Sequence, residues 1–375
     1  MERKSASRIV GILGVLLVIF GAAWMAANRR APDDSLYCGL FFLCAGAAGA
    51  AARKNGFVQG FVVTCASIAF IWIIGEAGTR IYIRSYQGNY LGESFREVSN
   101  PKIIYEFKPG ARYADGTVNS SGFWDREFPE KKPAGVYRIA VLGDSVTAMD
   151  EFYKTMYAKQ LENMLNACGA PVRYETLNFG VPGYNTIQEV ETFRTKALKY
   201  DPDMVVLGYV LNDPYPGQAL VRMTSGHSKF ISNIEQRSRI SFLFRRRFGN
   251  YVEDSLAAMH SDPEAWDTVV VRGFKELKKL TEDKKIPVVV VIFPLLNSFD
   301  SPVSEAIYKK VAAEARRNGF EAIILLPAFK KGHTSKDIIR HPSDIMHPNI
   351  IGHKIAGEQI YSRMSKYWKC GSAGR

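Results

Sequence analysis

The chain reads as an α/β protein: a doubly wound, parallel five-stranded sheet preceded by three transmembrane helices. Two observations carry that expectation. Residues 134–370 alternate short apolar strands with longer helical stretches, the pattern of βα units that build a parallel sheet. The first eighty residues instead hold three long stretches without a charged residue, Ile9–Ala27, Leu36–Ala52 and Phe57–Ile74. Each is near the roughly 20 residues that cross hydrocarbon.

Taken in order, residues 1–80 form the membrane anchor. A signal peptide is the alternative for the first span, but no clear small-residue cleavage site precedes Asn28-Arg29-Arg30. The second span is rich in Ala and Gly and also reads as a buried core helix. In a membrane, its Ala45, Gly49 and Ala52 allow close helix packing. Arg3, Lys4 and Arg8 precede span one, and Arg53 and Lys54 separate spans two and three. The positive-inside rule puts both groups in the cytoplasm. Three crossings then place the rest of a multi-pass membrane protein on the periplasmic or extracellular side.

Residues 81–133 are irregular and rich in Gly, Pro and aromatics, and are expected as a linker and small β extension. The core follows over 134–370. Strand Tyr137–Val141 leads to a helix over Glu151–Asn166, and strand Val172–Leu177 to a helix over Thr186–Leu198. Strand Met204–Tyr209 comes next. An insertion over 214–262 is long for a connection and holds the aromatic and basic stretch Arg239–Phe248, readable as a membrane-facing lid helix or as a packed helix with solvated arginines. Helix Trp266–Glu282, strand Pro287–Phe293, helix Val303–Asn318, strand Glu321–Leu325 and helix Ile350–Tyr367 complete a flavodoxin-like order.

Composition bounds the function. Of 375 residues, 47% are hydrophobic, ample for a sizeable core. The net charge is +12, yet no stacking platform or groove-reading motif accompanies the scattered cations, so nucleic acid is not the expected partner. Anionic membrane lipid or an acidic polymer suits them better. Five cysteines do not make a disulfide framework. Three lie inside the spans; Cys168 and Cys370 follow the first and last core helices. In a doubly wound sheet those helices run parallel side by side, which brings the two cysteines together. A disulfide and two separate thiols both remain open.

The reactive residues cluster at strand ends. Strand residues Arg138–Leu142 run into Gly143-Asp144-Ser145. A serine at the carboxyl end of a strand exposes Oγ, and the free N–H groups of a helix starting there can hold an oxyanion. Taken alone, Gly-Asp-Ser is also an ordinary turn. Asp344 and His347 stand three apart in a segment that flanking prolines keep from being helical. There the carboxylate can accept the imidazole Nδ1–H and leave Nε2 free as a base. His341 and His353 lie near enough to serve instead. Two further loops fit. Asn178–Thr186 carries Gly183, whose backbone can approach a ligand closely. Asn212 ends the strand Met204–Leu211 and offers a neutral donor to a developing oxyanion.

Ser145, Gly183, Asn212 and His347 together make the chain resemble the SGNH (GDSL-type) hydrolases over roughly residues 100–368. The lead-in Asn119-Ser120-Ser121-Gly122-Phe123-Trp124-Asp125 is similar to that of a membrane-anchored bacterial subgroup. Two positions depart from the pattern: Val210 stands where the Asn block usually has Gly, and Met149 where Gly often follows the Ser block. The resemblance implies Ser145 as nucleophile, His347 as base and Asp344 as its orienting carboxylate. It implies an oxyanion hole from the N–H groups of Ser145 and Gly183 and the Asn212 side chain, with no metal or organic cofactor. The expected activity is that of a serine esterase cleaving acyl esters on a glycan or lipid outside the cytoplasm. Two alternatives stand beside it. An O-acyltransferase of extracellular polysaccharide would use the same triad with a membrane-embedded acyl-donor partner. A catalytically idle binding or assembly protein is the other, but such a protein has no need of the full Ser, His and Asp set.

Overall fold

The computed structural model describes residue 64 and residues 94–113, 115–148, 153–214, 251–296, 299–341 and 345–370. The three charge-free stretches, Thr64 apart, lie outside the described residues, as does Arg239–Phe248. Among the described residues no helix is long and apolar enough to cross a membrane.

The first elements are two small hairpins. β1 (Phe95–Glu97) pairs antiparallel with β2 (Tyr105–Phe107), and β3 (Arg112–Tyr113) with β4 (Gly116–Thr117). The stretch expected as linker and small β extension therefore does contain β structure, and its aromatics are buried. Phe95, Tyr105, Phe107, Phe123 and Trp124 are all at most 3% exposed. Tyr105 donates its hydroxyl to the carbonyl of Pro182 at 2.7 Å, and Tyr184 donates to the carbonyl of Tyr105 at 2.5 Å. The extension thus clamps the loop that carries Gly183.

The core is a five-stranded sheet in the order β6-β5-β7-β8-β9, every pairing parallel. Its strands are β5 (Val136–Gly143), β6 (Arg173–Asn178), β7 (Met204–Tyr209), β8 (Val288–Ile292) and β9 (Glu321–Ile324). β7 and β8 are buried throughout, which explains their unbroken apolar runs. The four valines and one isoleucine of β8 are β-branched residues that suit a pleated strand covered on both faces. Register sets Ala140 between Leu177 and Val205, and Gly143 beside Gly208.

Helices cover both faces. α1 (Ser145–Ala148) is a single turn, followed by α2 (Tyr157–Ala167) and α3 (Thr186–Thr192). α4 (Tyr251–Ser261) lies at the end of the insertion, before α5 (Arg272–Glu282) and α6 (Pro302–Arg317). The short α7 (Leu326–Lys330) and α8 (Ser335–Ile338) lead to α9 (Ile350–Arg363). α9 packs on α2, where Gly357 sits against Tyr157 and Gln160. α3 packs on α5, where Gly273 meets Thr186. These are two separate helix layers, as a doubly wound sheet requires.

Three expected boundaries shift. The helix expected from Glu151 begins at Tyr157, after a 3-10 turn over Tyr153–Thr155, because Met156 takes an extended ψ of 143°. The helix expected over Thr186–Leu198 loosens into a π turn at Phe193–Ala197, where the Thr195 hydroxyl donates back to the carbonyl of Glu191. The last helix leaves α geometry at Met364 and ends in a 3-10 turn over Ser365–Tyr367. Cys168, at the end of α2, and Cys370, beyond α9, form a disulfide with Cα atoms 5.3 Å apart, inside the reach of such a bond. Of the two possibilities left open by the sequence, the parallel run of α2 and α9 selects this one.

Candidate active site

β5 delivers Ser145. The strand ends at Gly143, where a Cβ would lie 2.0 Å from Thr147 Oγ1 and 3.2 Å from the Gly208 carbonyl. Only glycine permits so close an approach of strand end and helix start. The chain then turns into α1, and Ser145 is left half-buried at the carboxyl edge of the sheet between buried Asp144 and Val146.

His347 arrives from the far end of the chain. Its Nε2 lies 2.8 Å from Ser145 Oγ, within reach for general-base transfer. The loop that holds it is clamped by backbone contacts. Arg340 N–H donates to the carbonyl of His347, and Leu296 N–H to the carbonyl of Ile345. Ile339 and Pro348 form an isolated antiparallel bridge. Asn349 then caps α9, accepting from the N–H groups of Ile351 and Gly352, while its amide donates to the carbonyl of Asp337. Asp344 lies outside the described residues, as does Met149. The two stand-in histidines sit elsewhere. His353 is fully buried between α9 and α2, its Nδ1 accepting from Tyr157 N–H, and His341 is exposed.

The Gly183 loop is pinned to the same strand end. Val181 N–H donates to the carbonyl of Gly143, and Asn178 spans from the Thr147 carbonyl, through Nδ2, to Gly180 N–H, through Oδ1. Gly183 takes φ of +79°, a left-handed turn that glycine tolerates. Among the described residues its N–H takes no backbone partner. Val210, in the place where a glycine was expected, is buried, and its N–H donates to Asp213 Oδ1 at 3.2 Å. That bond shapes the turn presenting Asn212.

Sequence reasoning assigned no role to Asp144. Its carboxylate is fully buried and gathers the site. Oδ2 accepts from Asn212 Nδ2 at 3.0 Å and faces Ser145 Oγ at 3.3 Å, while Oδ1 accepts from Val146 N–H at 2.9 Å. The expected oxyanion donor Asn212 is thus oriented by the residue just before Ser145. Burial pushes the Asp144 carboxyl up, and the Asn212 and Val146 donors with nearby His347 and Ser145 pull it back. The only signal in the sequence was its place between Gly143 and Ser145.

Two more acids stand behind it, also unassigned from sequence. Asp213 accepts from Thr186 Oγ1 at 3.0 Å. Glu189, one turn along α3, is 1% exposed, and neither carboxyl oxygen has a hydrogen-bond partner among the described residues. Burial raises both carboxyls well above the usual carboxylate range; Asp213 raises Glu189 further, and Asp144 raises both. The cost of burying an unpaired carboxylate is the source of the upward shift at Glu189. No group of acidic, histidine or cysteine side chains among the described residues is placed to hold a metal ion.

No family model and no curated protein matches this chain. Solved structures do. An α/β hydrolase from the metagenome of Lake Arreo, Spain, is 14% identical with a TM-score of 0.42, over 61% of this chain and 95% of that one. The lipase/acylhydrolase from Enterococcus faecalis is 16% identical with a TM-score of 0.41, over 63% of this chain and 99% of the other. A two-domain esterase active on acetylated mannans is 17% identical with a TM-score of 0.40, over 62% of this chain and half (50%) of that one. At such values the functional reading rests on this chain's own residues.

Proposed function

We propose that the chain is a serine esterase of the SGNH type. The observation that carries the reading is the 2.8 Å contact between Ser145 Oγ and His347 Nε2 at the carboxyl edge of a parallel sheet, where open α/β sheets bind ligands. Nε2 takes the hydroxyl proton as Oγ attacks the ester carbonyl. The oxyanion is held by the N–H groups of Ser145 and Gly183 and the amide of Asn212. His347 returns the proton to the leaving alcohol, and an acyl-serine remains. Water, deprotonated by Nε2, then attacks the acyl carbon, releases the carboxylic acid and restores Ser145. Asp344 orients His347 in this scheme.

The ester is carried on a glycan or lipid outside the cytoplasm. The cations flanking the charge-free stretches support that topology. So does the Cys168–Cys370 bond, which belongs to an oxidising compartment. A reporter joined after Arg375 is expected to read outside the cytoplasm, and a cytoplasmic signal would overturn the topology. For the chemistry, a fluorophosphonate probe should label the full-length protein in detergent and leave Ser145→Ala unlabelled. Equal labelling of both would remove Ser145 as nucleophile.

A further inference from the structure

A recess opens beside Asp125, which accepts from the N–H of Asn178 at the carboxyl end of edge strand β6. Its volume is about 540 Å³, within the roughly 300–1,000 Å³ of small-molecule sites. Three segments line it: Asp115, Gly116 and Thr117 of the second hairpin, the loop Trp124–Arg126, and Tyr153-Lys154. The last pair follows the nucleophile's helix by a few residues. Asp125 also ties the recess to the site. Its Oδ2 accepts from Asn178 N–H at 2.7 Å, and Asn178 Nδ2 donates to the Thr147 carbonyl at 3.1 Å. Two hydrogen bonds thus separate this wall from α1.

The recess is built rather than incidental. Lys159, 4% exposed, reaches Asp125 at 2.9 Å, and the Tyr153 hydroxyl donates to the same carboxylate. Tyr153 N–H donates to Asp115 Oδ1 at 3.1 Å. Arg126 pairs with Glu162 at 2.8 Å, and the Trp124 and Tyr153 rings meet edge to face at 6.0 Å. These bonds hold the walls apart before any ligand arrives, so little ordering cost falls on binding.

Its chemistry excludes several ligands. An acyl chain would lie against the exposed charged groups Asp115 and Lys154 at the rim. A phosphate group would meet the exposed carboxylate of Asp115 at the rim. The lining instead sets the partly exposed Tyr153 beside exposed side chains that accept and donate, Asp115, Thr117 and Lys154. That combination suits a ring with apolar C–H faces and many hydroxyls. We infer that this recess, bounded by Asp115, Thr117, Tyr153 and Lys154, is a subsite for a sugar unit of a glycan chain, seated beside the reacting ester. The inference deepens the esterase reading: the glycan would be gripped by the N-terminal extension while its acyl group reaches Ser145.

The test uses full-length protein in detergent. Calorimetric binding of xylohexaose, mannohexaose and cellohexaose, all without acyl groups, reads the subsite independently of catalysis. Thr117→Arg and Lys154→Glu alter exposed rim positions, and p-nitrophenyl acetate hydrolysis reports whether the site stays intact. The wild type should bind at least one hexaose, and Thr117→Arg should weaken that binding at least tenfold with unchanged p-nitrophenyl acetate turnover. Binding of none of the three by wild type, or equal binding by Thr117→Arg and wild type, overturns the subsite. Absence of p-nitrophenyl acetate turnover with hexaose binding retained would overturn the esterase reading alone.

Discussion

The two edges of the central sheet treat buried charge in opposite ways. At the amino edge, Arg138 on β5 is fully buried, yet all its directions are met. Nε bonds Glu175 across the β5–β6 register at 3.0 Å, and the terminal nitrogens donate to the carbonyls of Pro129, Glu130 and Tyr200. At the carboxyl edge, Asp144, Asp213 and Glu189 crowd together with no Lys or Arg among their hydrogen-bond partners in the described residues, and all three carboxyls are pushed up by burial. A buried charge that is paired and saturated serves the fold. Buried carboxyls without a Lys or Arg partner, gathered beside Ser145, mark this edge as the candidate site.

That contrast predicts which variants lose activity and which lose stability. The largest effect should come from Ser145→Ala, with kcat falling by roughly 10³- to 10⁶-fold, because a catalytic set acts as a unit. Its urea midpoint should match wild type, and steady-state kinetics beside a denaturation curve check both halves. At the other edge, Arg138→Ala should cost about 3–5 kcal/mol by leaving Glu175 with only the exposed Arg173 as partner. Equilibrium unfolding measures it, and a shift under about 1 kcal/mol would end the claim that this edge is structural.

Next comes Asp144→Asn, which keeps the shape but turns one of the two acceptors serving Asn212 and Val146 into a donor. We expect kcat to drop about 10- to 100-fold, less than the loss of a whole oxyanion donor, with Tm unchanged or higher. A fall in Tm with normal kcat would assign Asp144 to folding alone. The smallest effect concerns pH. The folded-state carboxyl of Glu189 is raised, so its stabilising share is complete below the ordinary carboxylate value of 4.5 and is lost as pH rises toward the raised value. Glu189→Gln should therefore flatten the fall of Tm above pH 5. At pH 8 the gain should be about 1 kcal/mol, or roughly 2–4 °C. A lower Tm for the variant at pH 8 would contradict the upward shift of the Glu189 carboxyl.

Much of the scaffold was legible because its signals are local. An apolar run of β-branched residues such as Val288–Ile292 has few ways to fold other than as a covered strand. The positions of Ser145, Gly183 and Asn212 followed from strands ending in turns, and the parallel run of the first and last helices brought Cys168 and Cys370 together while leaving the bond itself open. What stayed hidden needed partners far along the chain. Tyr105 in an irregular stretch looked like linker, yet its hydroxyl finds Pro182. Nothing local marked Lys159, which is buried on Asp125.

By itself, then, the order of residues determined the strand and helix alternation, the turn that exposes Ser145 and the prolines that keep His347 out of a helix. These depend on periodicity and backbone sterics within a few residues. Tertiary structure alone decided that His347 meets Ser145 across 202 positions, that Asp144 turns inward to Asn212, and that Arg138 faces Glu175. Those contacts depend on strand register and layer packing. One residue of register sends a side chain to the opposite face, and no local pattern records which face a distant partner will occupy.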